Sequence, residues 1–467
     1  MYSNLSVLES QINHQKHRWL SGADTISITK LLNSEQFQLV IHESRNYRVR
    51  IFTPMVTLLL FIKQVLGSDK SCKKAVSNFV AEQSKQGFDK IGSTNTGPYT
   101  KARQRLPKET IQELVQISGE SASQKTQAGW KVYGREVKAF DGTTVKMADT
   151  QSNQEDFPQH KNQKKGGGFP IARLLIVVSL TVGTIVNYAI GAYKGKGTGE
   201  QSLLREVKDS IKKDDIVLGD RYFPSYFLMA DLYAIGADGI FKGQSQRHYD
   251  FRKGQPLGKN DHVVQWKKPQ RPQWMSQETY RQYPDEITVR EFKVEGSVYV
   301  TTFLTVRHYH KHELAKIYKL RWHIEINLRS IKSTMNMDML SCKSPEMVRK
   351  EIGIHFLAYN MIRIIIAEAC QREGLNPREI SFKGTVQLLN SFMPHFVNGS
   401  TKHNGRMYTR MLSLIIKNKI GNRPGRVEPR AIKQRQKPFK TLDKPRHIEN
   451  IRLKKKIEKM IKKYAGA

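Results

Sequence analysis

Cysteine is nearly absent. The three in 467 residues, Cys72, Cys342 and Cys370, are too few and too widely spaced for a disulfide framework or a zinc finger, and they suit a reducing cytoplasm. Acid is scarce too: 42 Asp and Glu stand against 78 Lys and Arg, a formal charge of +36. That imbalance fits a polyanion partner, because each neutralised phosphate releases counterions. An anionic membrane surface is the rival reading, but the opening "MYSNLSVLESQINHQKHRW" holds no lipidation motif or secretory signal, so nucleic acid is preferred. Long apolar runs are also missing but for one, residues 171–193. It carries Arg173 and Asn187 and is broken by "TVGT", so it reads as two buried strands joined at Gly183, not as a membrane span. A nucleotide loop is lacking as well: in "YKGKGTGE" Lys196 precedes Gly, not Ser or Thr, which argues against an NTPase and a nucleotide cofactor. His308, His310 and His312 alternate, but no nearby cysteine or acid completes a strong zinc signature, and a solvated loop is the plainer reading. There is no internal repeat.

What is present is 38% hydrophobic, enough for a large core and roughly three domains by length. Residues 1–125 read as helices, with Lys101, Arg103, Arg105 and Lys108 clustered around Pro107. Residues 126–240 run strand, strand, strand, helix, strand, a mixed α/β pattern in which "REVKAFDGTTVKMAD" alternates and "DDIVLGDRYF" ends at Asp220. Residues 241–300 loosen into short strands ("DHVVQW", "ITVREFKV", "SVYVTTFLTV") and turns, a β-rich insertion. Residues 301–372 hold a basic helix starting near His312 and then a long apolar helix. Residues 373–422 form a further helical region, and 423–467 a basic tail, in which 423–463 carry 16 Lys or Arg against 4 acids.

Three acids draw notice. Asp141 in "AFDGT" and Asp220 in "LGDRYF" fall at or near strand ends, where a carboxylate is costly unless a cation pairs with it. The plain alternative is a turn Asp and an Arg-paired Asp. Glu325 is the single acid of "YKLRWHIEINLRSIK". On a regular helix Tyr318, Arg321, Glu325 and Lys332 share one narrow polar face about 21 Å long. Three carboxylates from two strands and a helix suit two hard cations such as Mg²⁺ about 4 Å apart, one activating water or a 3′-hydroxyl and the other stabilising the leaving oxygen. Arg321 and Lys332 can then grip phosphates, and Tyr318 can hydrogen-bond or stack.

The Tyr-x2-Arg-x3-Glu-x6-Lys spacing, with "DGT" and "GDRYF", resembles the insertion-sequence-4 family of DDE transposases. "TGPYTKARQRLP", "KKGGGFPIARL" and "RPGRVEPR" extend the likeness over nearly the whole chain. The resemblance implies an α/β, RNase H-like catalytic core made of 126–240 and 301–372, an N-terminal helical DNA-binding domain and a β-rich insertion between the second and third acids. It also implies a catalytic, Mg²⁺-binding triad of Asp141, Asp220 and Glu325 holding two ions, with Mn²⁺ able to substitute. Tyr318, Arg321 and Lys332 match positions that contact the transposon end. The implied partners are double-stranded DNA, as terminal inverted repeats and target, and a second copy of the chain in a synaptic dimer. No membrane is implied, and the expected place is the cytoplasm, at the nucleoid.

Some relatives that pass through a DNA hairpin stack a flipped base on a Trp in the strand leading to the last catalytic segment. Here Thr301 stands near that place, so Trp266, Trp274 or Tyr299 would have to serve, although each also reads as structural. Two other classes share these residues: a nuclease or resolvase that cuts without strand transfer, and a non-catalytic DNA-binding descendant. The three intact acids argue against the second.

Overall fold

The structure is a computed structural model that describes residues 31, 34–43, 51–84, 93–160, 162, 166–396, 401–421 and 444–465. The described N-terminal part is helical: α1 (Glu35–Glu43), α2 (Pro54–Leu66), α3 (Cys72–Ser84), α4 (Gly97–Arg105) and α5 (Lys108–Gln124). Local chemistry sets the boundaries. Thr53 accepts the Val56 N–H as the N-cap of α2, with Pro54 at the first helical position. Pro107 separates α4 from α5 by forcing an extended residue between them.

The rest is built on one mixed sheet. Its strands are β1 (Val137–Met147), β2 (Ile171–Ser179), β3 (Ile185–Ala192), β4 (Ile216–Gly219), β5 (Asp238–Lys242), β6 (Gln255–Gly258), β7 (Asp261–Lys267), β8 (Glu286–Val294), β9 (Ser297–Thr301) and β10 (Met339–Leu340). They lie in the order β3-β2-β1-β4-β5-β9-β8-β7-β6, with β10 added to β1. β1, β4 and β5 are mutually parallel, while β2 and β3 run antiparallel to their neighbours. The apolar run 171–193 is the β2–β3 hairpin, whose turn uses Gly183 at φ +90°. Both sheet faces are covered. Leu174, Ile176 and Val178 of β2 join one core, and Leu175 and Val177 join the other. Burial on both faces is why this strand reads as continuously apolar instead of alternating.

The strands of residues 241–300 continue the core sheet: β9 pairs antiparallel with β5 (Ile240 opposite Thr301) and carries β8, β7 and β6 outward. One reading from the sequence needs correction. Asp141 is not at a strand end but is the fifth of eleven residues in β1.

Helices α6 (Glu200–Glu206) and α7 (Tyr226–Ile235) cover one face. α8 (Lys311–Lys319), α9 (Trp322–Arg329) and α10 (Pro345–Glu373) cover the other, with α5 packed between α10 and β3. α10 is long and apolar enough to cross a membrane by length and composition, and its apolar window is wholly buried in the fold. Its Asn360 joins three elements: the side-chain oxygen accepts from Ile185 N at 2.7 Å, and the amide nitrogen donates to Ile185 O (2.8 Å) and Val115 O (3.1 Å). The chain continues through α11 (Phe382–Phe392) and α12 (Thr401–Ile415) to α13 (Arg446–Ala465), which lies exposed. Residues 422–443, which include the first part of the basic tail expected over 423–467, lie outside the described residues.

Candidate functional site

The site opens where β1 loses a neighbour. β4 pairs with residues 137–139 of β1 and β10 with 146–147, so among the described strands the stretch between is paired to β2 alone. Asp141 stands in that gap. Continuing the β1–β4 register (Ala139 opposite Leu218) by two residues brings Asp141 level with Asp220, just past the end of β4. Parallel neighbours at the same level point to the same face. That face is the one under α9, since Val137, Ala139, Ile216 and Leu218 share a core with Ile324 and Leu328. Glu325 descends on it from α9.

Arg321 ties the acids together. It donates to Asp141 Oδ2 at 3.3 Å and to Glu325 Oε1 at 2.6 Å. Asp141 Oδ1 accepts from Gly142 N, and Asp220 Oδ1 accepts from Tyr222 N at 2.8 Å. Burial pushes the Asp141 carboxyl up to about 6; Asp220 and Glu200 add to the rise, and Arg321 and the Gly142 N–H oppose it. Tyr318 meets Tyr299 edge-on at 5.2 Å, and burial, with Asp220 nearby, pushes its hydroxyl up to about 12 against the pull of Arg321.

The signature helix is not uniform. Leu320, Arg321, His323 and Ile324 each donate to the carbonyl three residues back, which overwinds the chain before Glu325, and Ser330–Thr334 then widens into a π-helical turn. The single straight face expected from a 100° step is therefore lost. Tyr318, Arg321 and Glu325 stay together with the two Asp residues. Lys332 lies on the widened turn and pairs with Asp338 at 3.2 Å.

The expected stacking residues are placed differently from one another. Trp266 is 2% exposed, donates to Glu291 Oε1 and carries Arg247 on its ring face at 3.6 Å. Tyr299 is sealed between Phe292, stacked at 5.1 Å, and Tyr318. Neither offers a free face to a base. Trp274 is 50% exposed, but Arg205 covers its ring at 3.8 Å. Two other rings, close in the chain to site residues, are exposed: Tyr222 (50%) and Trp322 (51%). Sequence reasoning missed both, although one is two residues after Asp220 and the other adjoins Arg321. It also missed Glu200, at the start of α6, whose carboxyl lies against Gly142 so closely that a Cβ there would meet Oε1 at 2.1 Å. Burial raises the pKa of Glu200 and Asp220 adds to it, against Arg173. The signal was the "TGE" of the segment weighed only as a phosphate loop.

Among the described residues no three acid, His or Cys side chains are gathered tightly enough to ligate an ion as they stand. The donor set nevertheless suits a hard cation. Oxygen donors from Asp141 and Glu325 already converge on a cationic group, the Arg321 guanidinium, with Asp220 level with Asp141.

Comparison with known proteins bears on this geometry. Residues 133–361, a span that contains all three acids and the signature helix, match the family described as Transposase DDE domain. The chain is 24% identical over 361 residues to Transposase InsG for insertion sequence element IS4 of Escherichia coli, covering 75% of this chain and 78% of that protein. It is 31% identical over 80 residues to the Transposase for insertion sequence element IS421 of Escherichia coli, 17% of this chain and 22% of that one. A solved piggyBac transposase synaptic complex with hairpin DNA aligns with a TM-score of 0.40 and 8% identity over 83% of this chain and 80% of that chain. The matched domain, residues 133–361, thus marks the chain as a DDE-domain transposase. Within that class the chain is similar, over three quarters of its length, to a transposase of insertion sequence element IS4.

Proposed function

We propose that this protein excises and inserts its element by cut and paste. It cleaves the strand at each transposon end and joins the freed 3′ ends to target DNA, as a dimer holding two ends. The observation that carries the reading is the convergence of Asp141 and Glu325 on Arg321, with Asp220 level with Asp141 in the next strand. The strand order β3-β2-β1-β4-β5, with β1, β4 and β5 parallel, supports an RNase H-like core.

Asp141, Asp220 and Glu325 would hold two Mg²⁺ ions, with Mn²⁺ able to substitute. When bound, such ions supply activation of the attacking hydroxyl and stabilisation of the leaving oxygen. The rest falls to the chain. Arg321 leaves its two carboxylates for the DNA phosphate, which offers it an anionic partner of equal geometry. Tyr318 stays protonated at neutral pH and donates a hydrogen bond. The excess of Lys and Arg provides affinity that does not depend on the acids. If the second strand is cut through a hairpin, the exposed rings Tyr222 and Trp322, next in the chain to site residues, suit the stacking role better than the buried Trp266 and Tyr299.

Asp141→Ala, Asp220→Ala and Glu325→Ala should each abolish Mg²⁺-dependent cleavage of an end-labelled transposon end while leaving DNA binding largely intact. One variant that cleaves near the wild-type rate removes that residue from the site. A precut end offered with target DNA separates this reading from a nuclease without strand transfer, because only a transposase yields the joined product.

A further inference from the structure

The turn that carries Lys332 is held from outside the sheet domain. Lys70 lies in the short link between α2 and α3, 265 residues earlier in the chain. Its ammonium donates to Met335 O at 3.0 Å and to Asn336 O at 2.8 Å, and it contacts His355 Nε2 at 3.2 Å. Those are three partners for three N–H groups. The set is internally consistent. His355 Nδ1 lies 2.8 Å from Glu351 O and must be the protonated nitrogen there, which leaves Nε2 with the lone pair that Lys70 requires.

The two carbonyls lie at the helix C-cap and one residue past it, where no further turn follows to bond them. The π-helical turn Ser330–Thr334 closes at Met335, and Asn336 follows in the left-handed region at φ +52°. A cation there satisfies both oxygens and the negative end of the helix dipole. Beyond the turn, Asp338 O accepts from Lys146 N, and β10 pairs with the end of β1, the strand that bears Asp141. The segment 330–340 therefore links Glu325, Lys332 and the Asp141 strand, and Lys70 grips it midway. Arg103 of α4 adds a second hold, reaching Cys342 Sγ at 3.4 Å just after β10.

We propose that Lys70 is a positioning residue for strand cleavage. It fastens the Lys332 turn to the N-terminal helices, so that seating a DNA end on those helices also sets Lys332 against the reacting strand. The proposal rests on the reading of Asp141, Asp220 and Glu325 as the cleavage site. It adds that part of the coupling between end recognition and chemistry runs through this ammonium group.

Lys70→Met keeps the aliphatic stem and removes the three donors. At saturating protein, its single-turnover cleavage of the transposon end should fall about tenfold or more, since small displacements of positioning groups cost that much. Its dissociation constant for the same DNA should stay within about twofold, because Lys70 contacts protein and not phosphate. Lys70→Arg, which can donate to the same carbonyls, should restore part of the rate. In a Lys332→Ala background Lys70→Met should cause no further loss. Wild-type cleavage by Lys70→Met overturns the proposal, as does an equal further loss in the Lys332→Ala background, the mark of ordinary destabilisation. Lys70→Gln decides by the same cycle if Lys70→Met melts below the assay temperature. Asp141→Ala run alongside separates the two readings: if it cleaves, the site assignment falls, whatever Lys70 does.

Discussion

Two ends of the same sheet bury charge in opposite ways. At the far end, Arg290 of β8 grips Asp261 of β7 with two bonds of 2.8 and 2.7 Å, and both side chains are almost wholly buried. Beside them Glu291 takes His262, Trp266 and Arg247 as partners. Every acid there has its cation or donor. At the near end four carboxylates, Asp141, Asp220, Glu325 and Glu200, face two guanidinium groups, Arg321 and Arg173. The first arrangement is complete and holds strands in register. The second is short of positive charge, and that deficit is what a metal ion would fill. Burial alone does not separate a structural ion pair from a reactive site; the local charge balance does.

The same chemical change should therefore have opposite effects at the two ends. Asp261→Asn strands the buried Arg290 charge and should destabilise the fold by about 3–5 kcal/mol, measured by denaturant unfolding. A loss under about 1 kcal/mol would mean that water reaches that pair after all. Asp141→Asn should stabilise the metal-free protein. Because the folded carboxyl titrates near 6, above its ordinary 3.8, the native state holds the proton longer than the unfolded chain does. Stability then falls as pH rises from about 4 to 6, and the full cost, about 2–3 kcal/mol, is present above that window. The Asn variant should melt higher than wild type at pH 7.5 in EDTA and equally at pH 4, while losing cleavage. A lower melting temperature at pH 7.5 would place Asp141 with the paired acids of the far end. The smallest effect belongs to Trp266→Phe, which gives up the hydrogen bond to Glu291. It should cost about 1 kcal/mol and leave cleavage and any hairpin product unchanged, as suits a residue of the balanced end. A selective loss of hairpin would return Trp266 to the site.

How far these features were legible depended on the range over which their causes act. The β2–β3 hairpin was read correctly because β-branched runs and Gly183 are local signals. Asp141, Asp220 and Glu325 were singled out by residue type and spacing. The level of Asp141 in β1, by contrast, is set by where β4 stops pairing, which no local pattern encodes. The joining of β9 to β5 is likewise a pairing between segments some 60 residues apart, as Thr301 Oγ1 to Gly239 O illustrates. The straight polar face failed for another reason. A 100° step assumes uniform hydrogen bonding, and the turns around Glu325 change from three-residue to five-residue closure. Glu200 arrives from the opposite side of the sheet, so the "TGE" segment showed an acid but not its nearness to Asp141.

Asn360 has a consequence for how the chain is made. The β2–β3 hairpin is apolar on both faces, and its edge bonds are completed by an amide 175 residues later in the sequence. At roughly 5–20 residues per second, the ribosome needs about 9–35 s to deliver that residue after the hairpin. During this interval the face of the hairpin that packs on α10 is finished but uncovered. Nascent chains arrested near residue 340 should accordingly be captured by holdase chaperones, and chains arrested well beyond residue 400, with α10 clear of the exit tunnel, should not. Synthesis of the element's own enzyme would then be limited by how long one hairpin waits for its cover, and slow translation between β3 and α10 would lower the yield of active protein without altering a single residue of the site.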